Sequence, residues 1–234
     1  MTLDDVLTNL SYDTLSNAFI GNEGSGTIEE ESIPKVVKHI NQALIALYTR
    51  FVLDEKIVQV NVQEGVIHYY LNGRYSKSQY KQGQSDPSYI VDSYKEPFKD
   101  DVIRILEVFD KDNQRLILNN EDCSFAIYTP KPRLLLIPDP IEGKVLHVTY
   151  QARHELVKGD DREQQVSVPF ELQEAFESYV GYLYYKNINT QEANNTAQLL
   201  LQNYERICRE TEEMNTLGLS PLGSNNKFET RGFR

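Results

Sequence analysis

The sequence predicts an α+β fold, with helices at both ends of the chain and antiparallel strands between them. Apolar residues recur at helical spacing near the start of the chain and again over its last third. From Lys56 to about Arg153 the apolar residues instead alternate with polar ones, which is the period of a strand. Gly, Pro and Asn residues interrupt this middle region often enough to separate several short strands.

Two helices are predicted before residue 56. The first follows a Thr2-x-x-Asp5 capping box and has apolar residues spaced i, i+3, i+4 and i+7, which are Leu3, Val6, Leu7 and Leu10. The second runs from about Ser32 to Val52, and Pro34 suits its first turn because the N–H that proline lacks has no helical partner there. The glycine-rich segment 21–26 between them is expected to be a flexible linker.

The middle region is predicted to contain antiparallel strands. Val58, Val60 and Val62 alternate with polar residues, and Asn72-Gly73 is a strong hairpin signal. Six tyrosines fall between Tyr69 and Tyr94, and the segment 69–97 is interpreted as a long, partly ordered excursion. The other expected strands are Val102–Phe109, Gln114–Leu118, Ser124–Tyr128, Arg133–Ile137 and Lys144–Ala152. Prolines 130, 132, 138 and 140 suit turns and edge strands.

The last third predicts an antiparallel helical hairpin. One apolar stripe begins at Leu172 and a second at Ala193, and Asn189 precedes Glu192 at capping-box spacing, so Asn189 is the expected cap of the second helix. The residues from Leu217 onward contain too few apolar side chains to fold alone.

Charge and composition exclude several classes of function. The chain has 24 basic and 35 acidic side chains, a formal charge of -11, which argues against a surface that grips phosphates or anionic lipid. No apolar run reaches the roughly 18 residues of a membrane span. The two cysteines lie far apart and are expected to be reduced thiols. We therefore expect a soluble chain of the cell interior, or a part of an assembly built there.

No catalytic, metal-binding or cofactor-binding residue is predicted. His154-Glu155 begins like a zinc-protease helix, but Lys158 stands where the second histidine ligand belongs. Asp110-x-Asp112 resembles a calcium loop, but its sixth position is Arg115 where a glycine is needed. The acidic runs 29–31 and 160–161 could hold a general acid and base, and a hydrolase using Asp160 or Asp161 is a third hypothesis with little support.

The order of elements in the C-terminal half resembles a known family. A proline-bounded hairpin is followed by a strand ending in Tyr150, an acidic spacer, and Val168-Pro169 opening the helix pair. The segments that carry the likeness are Tyr128–Pro130, Arg133–Pro138, Gly143–Tyr150, Val166–Pro169, Glu171–Tyr179 and Ala197–Tyr204. Together with the N-terminal helices, they resemble the head–tail adaptor (connector) proteins of short-tailed bacteriophages, the group that includes tail tubular protein A.

The resemblance implies a domain plan. Helices of residues 1–55 and a helical hairpin of residues 166–215 would form a bundle, an antiparallel β region of residues 56–155 would be inserted in it, and residues 216–234 would form an extended tail that docks to a partner. The long Tyr-rich segment 69–97 departs from the family pattern.

The resemblance also implies a function. The chain would be a structural virion protein whose ring, of twelve copies by family resemblance, joins the portal ring to a downstream tail or nozzle protein at the head–tail junction, after assembly in the host cytoplasm. The resemblance implies no membrane partner. Double-stranded DNA would pass without specific binding, and an acidic body suits this because each basic contact adds affinity and friction.

The tail differs from the acidic body. Its charged residues sum to +2, and Arg and aromatic side chains are common at interface hot spots, so we expect these residues to bind the portal or a neighbouring subunit: Lys227, Phe228, Arg231, Phe233 and Arg234. A nucleic-acid arm and a disordered terminus remain open alternatives.

The alternative function is a phage tail or surface binding module. In that case the Tyr-rich segment would contact a receptor or carbohydrate, because the tyrosine ring has an apolar body and a polar tip. The residues expected to make the contact are Tyr69, Tyr75, Tyr80 and Tyr89.

Overall fold

The α+β fold is confirmed in a computed structural model that describes residues 1–16, 28–79, 87–95, 97–214 and 217. The helices of this part are α1 (Leu3–Tyr12), α2 (Ile33–Arg50), α3 (Gln173–Tyr185) and α4 (Gln191–Met214). The strands are β1 (Glu55–Asn61), β2 (His68–Tyr70), β3 (Ile90–Val91), β4 (Val102–Asp110), β5 (Arg115–Leu116), β6 (Tyr128–Lys131), β7 (Leu134–Leu136) and β8 (Val145–Ala152). The linker predicted at residues 21–26 lies outside the described residues.

The chain divides into two compact units. Residues Met1–Leu47 and Leu156–Arg234 form one, here called the helical unit, and Tyr48–Glu155 form the other, the β unit. Both ends of the chain therefore belong to the same unit, and the β unit is inserted between them. Among the described helices, none has the length and apolar composition required to cross a lipid bilayer.

In the helical unit, α1 begins as its sequence predicts. The Thr2 hydroxyl accepts a hydrogen bond from the Asp5 N–H at 3.2 Å, and the Asp5 carboxylate accepts one from the Thr2 N–H at 2.8 Å, which completes the capping box. The four apolar residues of α1 are buried, and so is the apolar stripe predicted for α2, from Ile33 to Phe51.

Helices α3 and α4 pack closely where α3 has a glycine, Gly181. A methyl group added at Gly181 would lie only 2.9 Å from Leu200 Cδ1 and would also collide with Thr14. The predicted cap of α4 is wrong by one residue. The Ala193 N–H donates to the Thr190 hydroxyl at 3.2 Å, so Thr190, and not Asn189, supplies the side chain that satisfies the first turn.

The β unit contains a five-stranded antiparallel sheet in the order β3-β1-β8-β4-β5. Val58, Val148 and Val108 lie directly opposite one another across β1, β8 and β4, and all three are buried. This confirms the alternation expected at Val58 and Val60. The predicted strand Gln114–Leu118 shortens to β5, and Leu118 makes an isolated bridge to Ile127.

A second sheet has three antiparallel strands in the order β2-β7-β6. The hairpin predicted at Asn72-Gly73 is wrong, because β2 pairs with the distant β7. Asn72 has φ -141°, outside the positive-φ region that a two-residue hairpin turn needs, and its carboxamide oxygen accepts a hydrogen bond from the Arg74 N–H at 2.9 Å. Asn72 thereby caps a 3₁₀ turn at Gly73–Tyr75.

Two further expectations for this region change. The strand predicted at Ser124–Tyr128 falls later, at β6, which is an edge strand containing Pro130, as prolines prefer. The Tyr-rich segment is only partly a surface excursion, because Tyr69 and Tyr89 are buried in the core of the β unit. Residues 80–86 and 96 of that segment lie outside the described residues.

Candidate ligand-binding face

The partner-binding residues predicted in the tail, Lys227, Phe228, Arg231, Phe233 and Arg234, lie outside the described residues. The acidic runs weighed as catalytic candidates lie at the surface of the helical unit. Glu30 pairs with Arg162 at 2.9 Å, and Asp4 lies 3.8 Å from the same guanidinium. Asp160 and Asp161 are exposed in a turn. These carboxylates therefore belong to solvated surface pairs and turns.

The four histidines are divided between the two units. His39 is buried in α2, whereas His68, His147 and His154 belong to the β unit. In the described ranges no group of three or more His, Cys, Asp or Glu side chains is arranged to hold a metal ion.

The polar cluster around Asp101 is a set of groups that the sequence did not indicate. The buried Asp101 carboxylate accepts hydrogen bonds from Lys56 Nζ at 2.5 Å and from the Tyr150 hydroxyl at 3.1 Å. Burial opposes the charge on Lys56, but the hydrogen bond and negative charge of Asp101 outweigh it and raise the Lys56 pKa. Burial, together with Asp101, also raises the pKa of Tyr150.

This cluster is therefore structural. At neutral pH the Lys56 ammonium stays protonated and the Tyr150 phenol stays neutral, so neither is prepared to act as a nucleophile or base. The pair of hydrogen bonds instead ties β1 and β8 to the residue that directly precedes β4.

A row of aromatic rings lies along β2 and the turn after it. The His68 and Tyr70 rings are 6.5 Å apart between centroids, and the Tyr70 and Tyr75 rings are 6.3 Å apart. Both pairs are within 21° of parallel. Tyr75 in turn stacks on the buried Tyr89 at 4.9 Å. The row therefore runs from the core of the β unit to exposed rings at its surface.

Strand pairing extends this row into a face. His68 lies opposite Leu136, which lies opposite Tyr128. Tyr70 lies opposite Leu134, which lies opposite Lys131. Directly paired residues share one face of a sheet. We call the set His68, Tyr70, Tyr75, Tyr128 and Lys131 the aromatic face.

The opposite side of the same sheet packs into the core. Tyr69, Leu135 and Ile137 alternate with the residues of the aromatic face and are fully buried. On the aromatic face, His68 and Lys131 are exposed, Tyr70 is 41% exposed, and Tyr75 and Tyr128 are half-buried. The leucines between them on β7 are less accessible, since Leu136 is half-buried and Leu134 is buried. The side chains of this face can therefore meet a ligand without disturbing the core.

Two buried tyrosine hydroxyls hold the row in place. The Tyr89 hydroxyl accepts from the Tyr70 N–H at 2.7 Å and donates to the Tyr70 carbonyl at 3.0 Å. The Tyr69 hydroxyl makes the same pair of bonds to the backbone of Gln63, at 3.0 and 3.2 Å. Burial raises the pKa of both phenols, which keeps the hydroxyl protons available for donation.

The segment after the row is also fixed. The Asp92 carboxylate accepts hydrogen bonds from the Ser78 N–H and the Phe98 N–H, each at 2.8 Å, and from the Ser78 hydroxyl. Burial alone would raise the Asp92 pKa, but these donors stabilise the carboxylate and lower it. The Lys77 N–H donates to the Ile90 carbonyl at 3.0 Å. The segment next to the aromatic face is therefore tied to β3 and its neighbours by hydrogen bonds.

Charge is distributed unevenly between the two units. The helical unit, residues 1–47 and 156–234, carries 10 basic and 19 acidic side chains, a formal charge of -9. The β unit carries 14 basic and 16 acidic side chains, a formal charge of -2. The acidic character of the chain is therefore a property of its helical unit.

The small sheet differs from the rest of the chain in charge. The segments 68–79 and 128–137, which supply β2, the 3₁₀ turn, β6 and β7, contain four basic residues and no carboxylate. These basic residues are Arg74, Lys77, Lys131 and Arg133, and all four are exposed. In the part of the chain that the structure describes, no carboxylate pairs with Lys77, Lys131 or Arg133.

Sequence reasoning found part of this face and missed the rest. The density of tyrosines pointed to Tyr75, but Tyr69 and Tyr89 are core residues, and Tyr80 lies outside the described residues. His68, Tyr70 and Tyr128 were not singled out. The alternation of His68 and Tyr70 around Tyr69 was an available signal, but the pairing that adds Tyr128 and Lys131 is long-range.

A scan of the chain against models of known protein families and a search of curated protein sequences found no match.

Proposed function

We propose that the chain is a structural virion protein that forms a ring between the portal and the tail of a short-tailed bacteriophage and lines the path of the DNA during packaging and ejection. In this proposal α1 to α4 form a helical bundle, and the β unit is an insertion in it. The work of the protein is assembly: it carries no catalytic residue and needs no cofactor.

The observation that supports this proposal most directly is the division of the chain. The adaptor resemblance implies helices from both chain ends in one body and a β region inserted between them. The two units of this chain divide at Leu47/Tyr48 and Glu155/Leu156, so that both ends fall in one unit. A chain with the same elements in two successive domains would not give this arrangement.

The location of the acidic charge supports a DNA conduit. A wall that carries a formal charge of -9 per subunit repels phosphates and leaves the duplex free to slide. The helical unit carries this charge, and the β unit is close to neutral. We therefore propose that the helical unit, and not the β unit, faces the DNA.

The tail supplies the proposed attachment. Residues 216–234 contain three basic residues, one acidic residue and two phenylalanines. On the portal ring or a neighbouring subunit, Phe228, Phe233 and the arginines would be buried as anchors. Side-to-side contacts of the heterologous type then close the ring.

Deletion of residues 217–234 tests the attachment. We expect the shortened chain to keep its circular dichroism spectrum and thermal midpoint but to lose co-purification with the portal protein from the same virion. A full-length variant, Phe228→Ala with Arg231→Ala, should show the same loss, which separates the role of the side chains from chain length. Unchanged co-purification of both variants would contradict the proposal.

A second candidate function is a tail or surface binding module that contacts a receptor or carbohydrate through the Tyr-rich segment. The aromatic face favours it, because three nearly parallel rings are held on a rigid sheet with an exposed outer side. Two of the tyrosines expected to contact the ligand, Tyr69 and Tyr89, are buried, so in this hypothesis Tyr75 is kept and Tyr70 is added.

A further inference from the structure

We infer that the aromatic face binds single-stranded nucleic acid, with unpaired bases stacking on His68, Tyr70 and Tyr128 and phosphates meeting the basic residues of the same small sheet. The inference shares one premise with the second candidate function, which is that the aromatic face is a ligand site. The ligand class differs: it is a nucleic acid and not a receptor or carbohydrate. It does not depend on the proposed adaptor ring.

The arrangement of the aromatic face suits the stacking of nucleic-acid bases. Open antiparallel sheets bind single strands by presenting aromatic side chains from neighbouring strands, on which successive bases stack. Here His68 and Tyr70 are two residues apart on β2, and Tyr128 lies two strands away in line with His68. The planes of the His68, Tyr70 and Tyr75 rings are within 21° of their neighbours. A strand of bases can therefore follow the row with little rearrangement of the protein.

The charge of the small sheet suits a polyanion. Arg74 lies 6.0 Å from the Tyr75 ring centroid, and Lys131 lies on the aromatic face itself. Lys77 follows the 3₁₀ turn and Arg133 is in the turn between β6 and β7, so the segments 68–79 and 128–137 supply four basic side chains and no carboxylate. Asp92, at the base of the neighbouring segment, has its oxygens engaged by Ser78 and the Phe98 N–H. A neutral sugar would use the rings but would have no need of these four cations.

An unpaired strand fits better than a duplex. The faces of bases in a duplex are covered by their neighbours, so aromatic stacking on this face requires bases that are already exposed. The net charge of the whole chain opposes binding at a distance. Attraction then depends on the local contacts between basic side chains and phosphates, and salt weakens those contacts.

Fluorescence anisotropy of labelled oligothymidylate, twelve nucleotides long, against the full chain tests this inference. If all four basic residues of the sheet contact phosphates, the logarithm of the affinity should fall against the logarithm of salt with a slope of about -3. Tyr70→Ala and Tyr128→Ala should each weaken binding roughly 5- to 150-fold, the range for loss of one stacked base. Tyr70→Phe should restore it, because the ring is kept.

Matched controls separate this face from general effects. Tyr94→Ala removes a tyrosine that is 85% exposed elsewhere in the β unit, and Lys111→Ala removes an exposed lysine in the β4–β5 turn. Phe228→Ala with Phe233→Ala tests the tail. None of these should change the affinity, whereas Lys131→Ala should weaken it and reduce the salt dependence. Thermal midpoints of all variants show that each one folds.

Three results would overturn the inference. The first is that oligothymidylate does not bind at low salt, or that its binding is abolished by the tail variant and is unchanged by Tyr70→Ala. The second is equal affinity for a duplex of the same length. The third is that a neutral glucose hexasaccharide, tested by calorimetry, binds in a Tyr70-dependent manner while oligothymidylate does not. That third result would support the receptor or carbohydrate hypothesis, and none of the three bears on ring formation with the portal.

Discussion

The Tyr89 hydroxyl satisfies both backbone groups of Tyr70, accepting from its N–H at 2.7 Å and donating to its carbonyl at 3.0 Å. Strand β2 is at the edge of its sheet, and edge strands are prone to pair with other chains. One buried side chain therefore blocks strand addition at this position and, through the stacked Tyr75, also supports the exposed aromatic row.

Tyr89→Phe should destabilise the β unit. The ring and its packing are retained, but the N–H and carbonyl of Tyr70, in a part-buried position, lose their partner, which costs about 1 to 3 kcal/mol for groups left unsatisfied. Urea denaturation, followed by circular dichroism, measures the change. Tyr94→Phe removes the same atom from a ring that is 85% exposed and should leave the midpoint unchanged. Equal effects of the two variants would contradict this role for Tyr89.

Gln151→Met should lower the free energy of unfolding, although the two side chains are similar in size. The buried Gln151 amide donates to the Phe51 carbonyl at 2.8 Å and to the Tyr48 carbonyl, and its oxygen accepts from Arg104 Nε at 2.7 Å. These bonds engage carbonyls in the last turn of α2 and in the residue that follows it, where helical hydrogen bonding ends. We expect a loss of about 2 to 4 kcal/mol in the free energy of unfolding. Gln198→Met, at an exposed position of α4, is the control and should be neutral.

Lys56→Met should destabilise the β unit by leaving the Asp101 carboxylate without its cation. Removing one partner of a fully buried pair costs about 3 to 5 kcal/mol, but the Lys56 side chain is 39% exposed, so we expect about 1 to 3 kcal/mol. The double variant Lys56→Met with Asp101→Asn should recover part of the loss. An additive double variant, measured by urea denaturation, would show that the two side chains do not interact.

Acidification should destabilise the protein before its carboxylates titrate. Burial lowers the pKa of both His39 and His154 below the ordinary value of 6.5, and for His39 the nearby Lys35, Lys186 and Lys38 lower it further. The unfolded chain then binds more protons than the folded chain. The free energy of unfolding therefore has its highest value above about pH 7 and falls as the pH drops below 6.5. Thermal midpoints between pH 8 and 5 measure the slope.

His39→Leu isolates one contribution to that slope. The ring is 6% exposed and its Nε2 atom has no hydrogen-bond partner in the described residues, so an apolar side chain can occupy the site. The variant should lose less stability between pH 7 and 5 than the parent chain. His147→Gln, in the sheet of the β unit, is the control, and an identical slope in the parent and His39→Leu would contradict the assignment.

The parts of the fold that local chemistry determines could be predicted from the sequence. The Thr2–Asp5 capping box, the buried stripe of α2 and the alternation at Val58 and Val60 each depend on residues close together in the chain. The same reasoning recognised that Pro130 belongs on an edge strand. These features follow from helical and strand periods and from the missing N–H of proline.

What the sequence could not give depends on distant pairing. Asn72-Gly73 has the composition of a hairpin, but the pairing of β2 with β7, more than 60 residues away, prevails over that local preference. The same pairing decides that Tyr69 is in the core and Tyr70 at the surface, because neighbouring strand residues point to opposite faces. The aromatic face therefore becomes visible only when β2, β6 and β7 are brought together.

Native mass spectrometry of the full chain, alone and mixed with the portal ring of the same virion, tests the central proposal most directly. The adaptor account predicts a complex with a fixed number of copies of this chain on each portal ring, and the measured mass gives that number. A chain that remains monomeric in both samples would contradict the account.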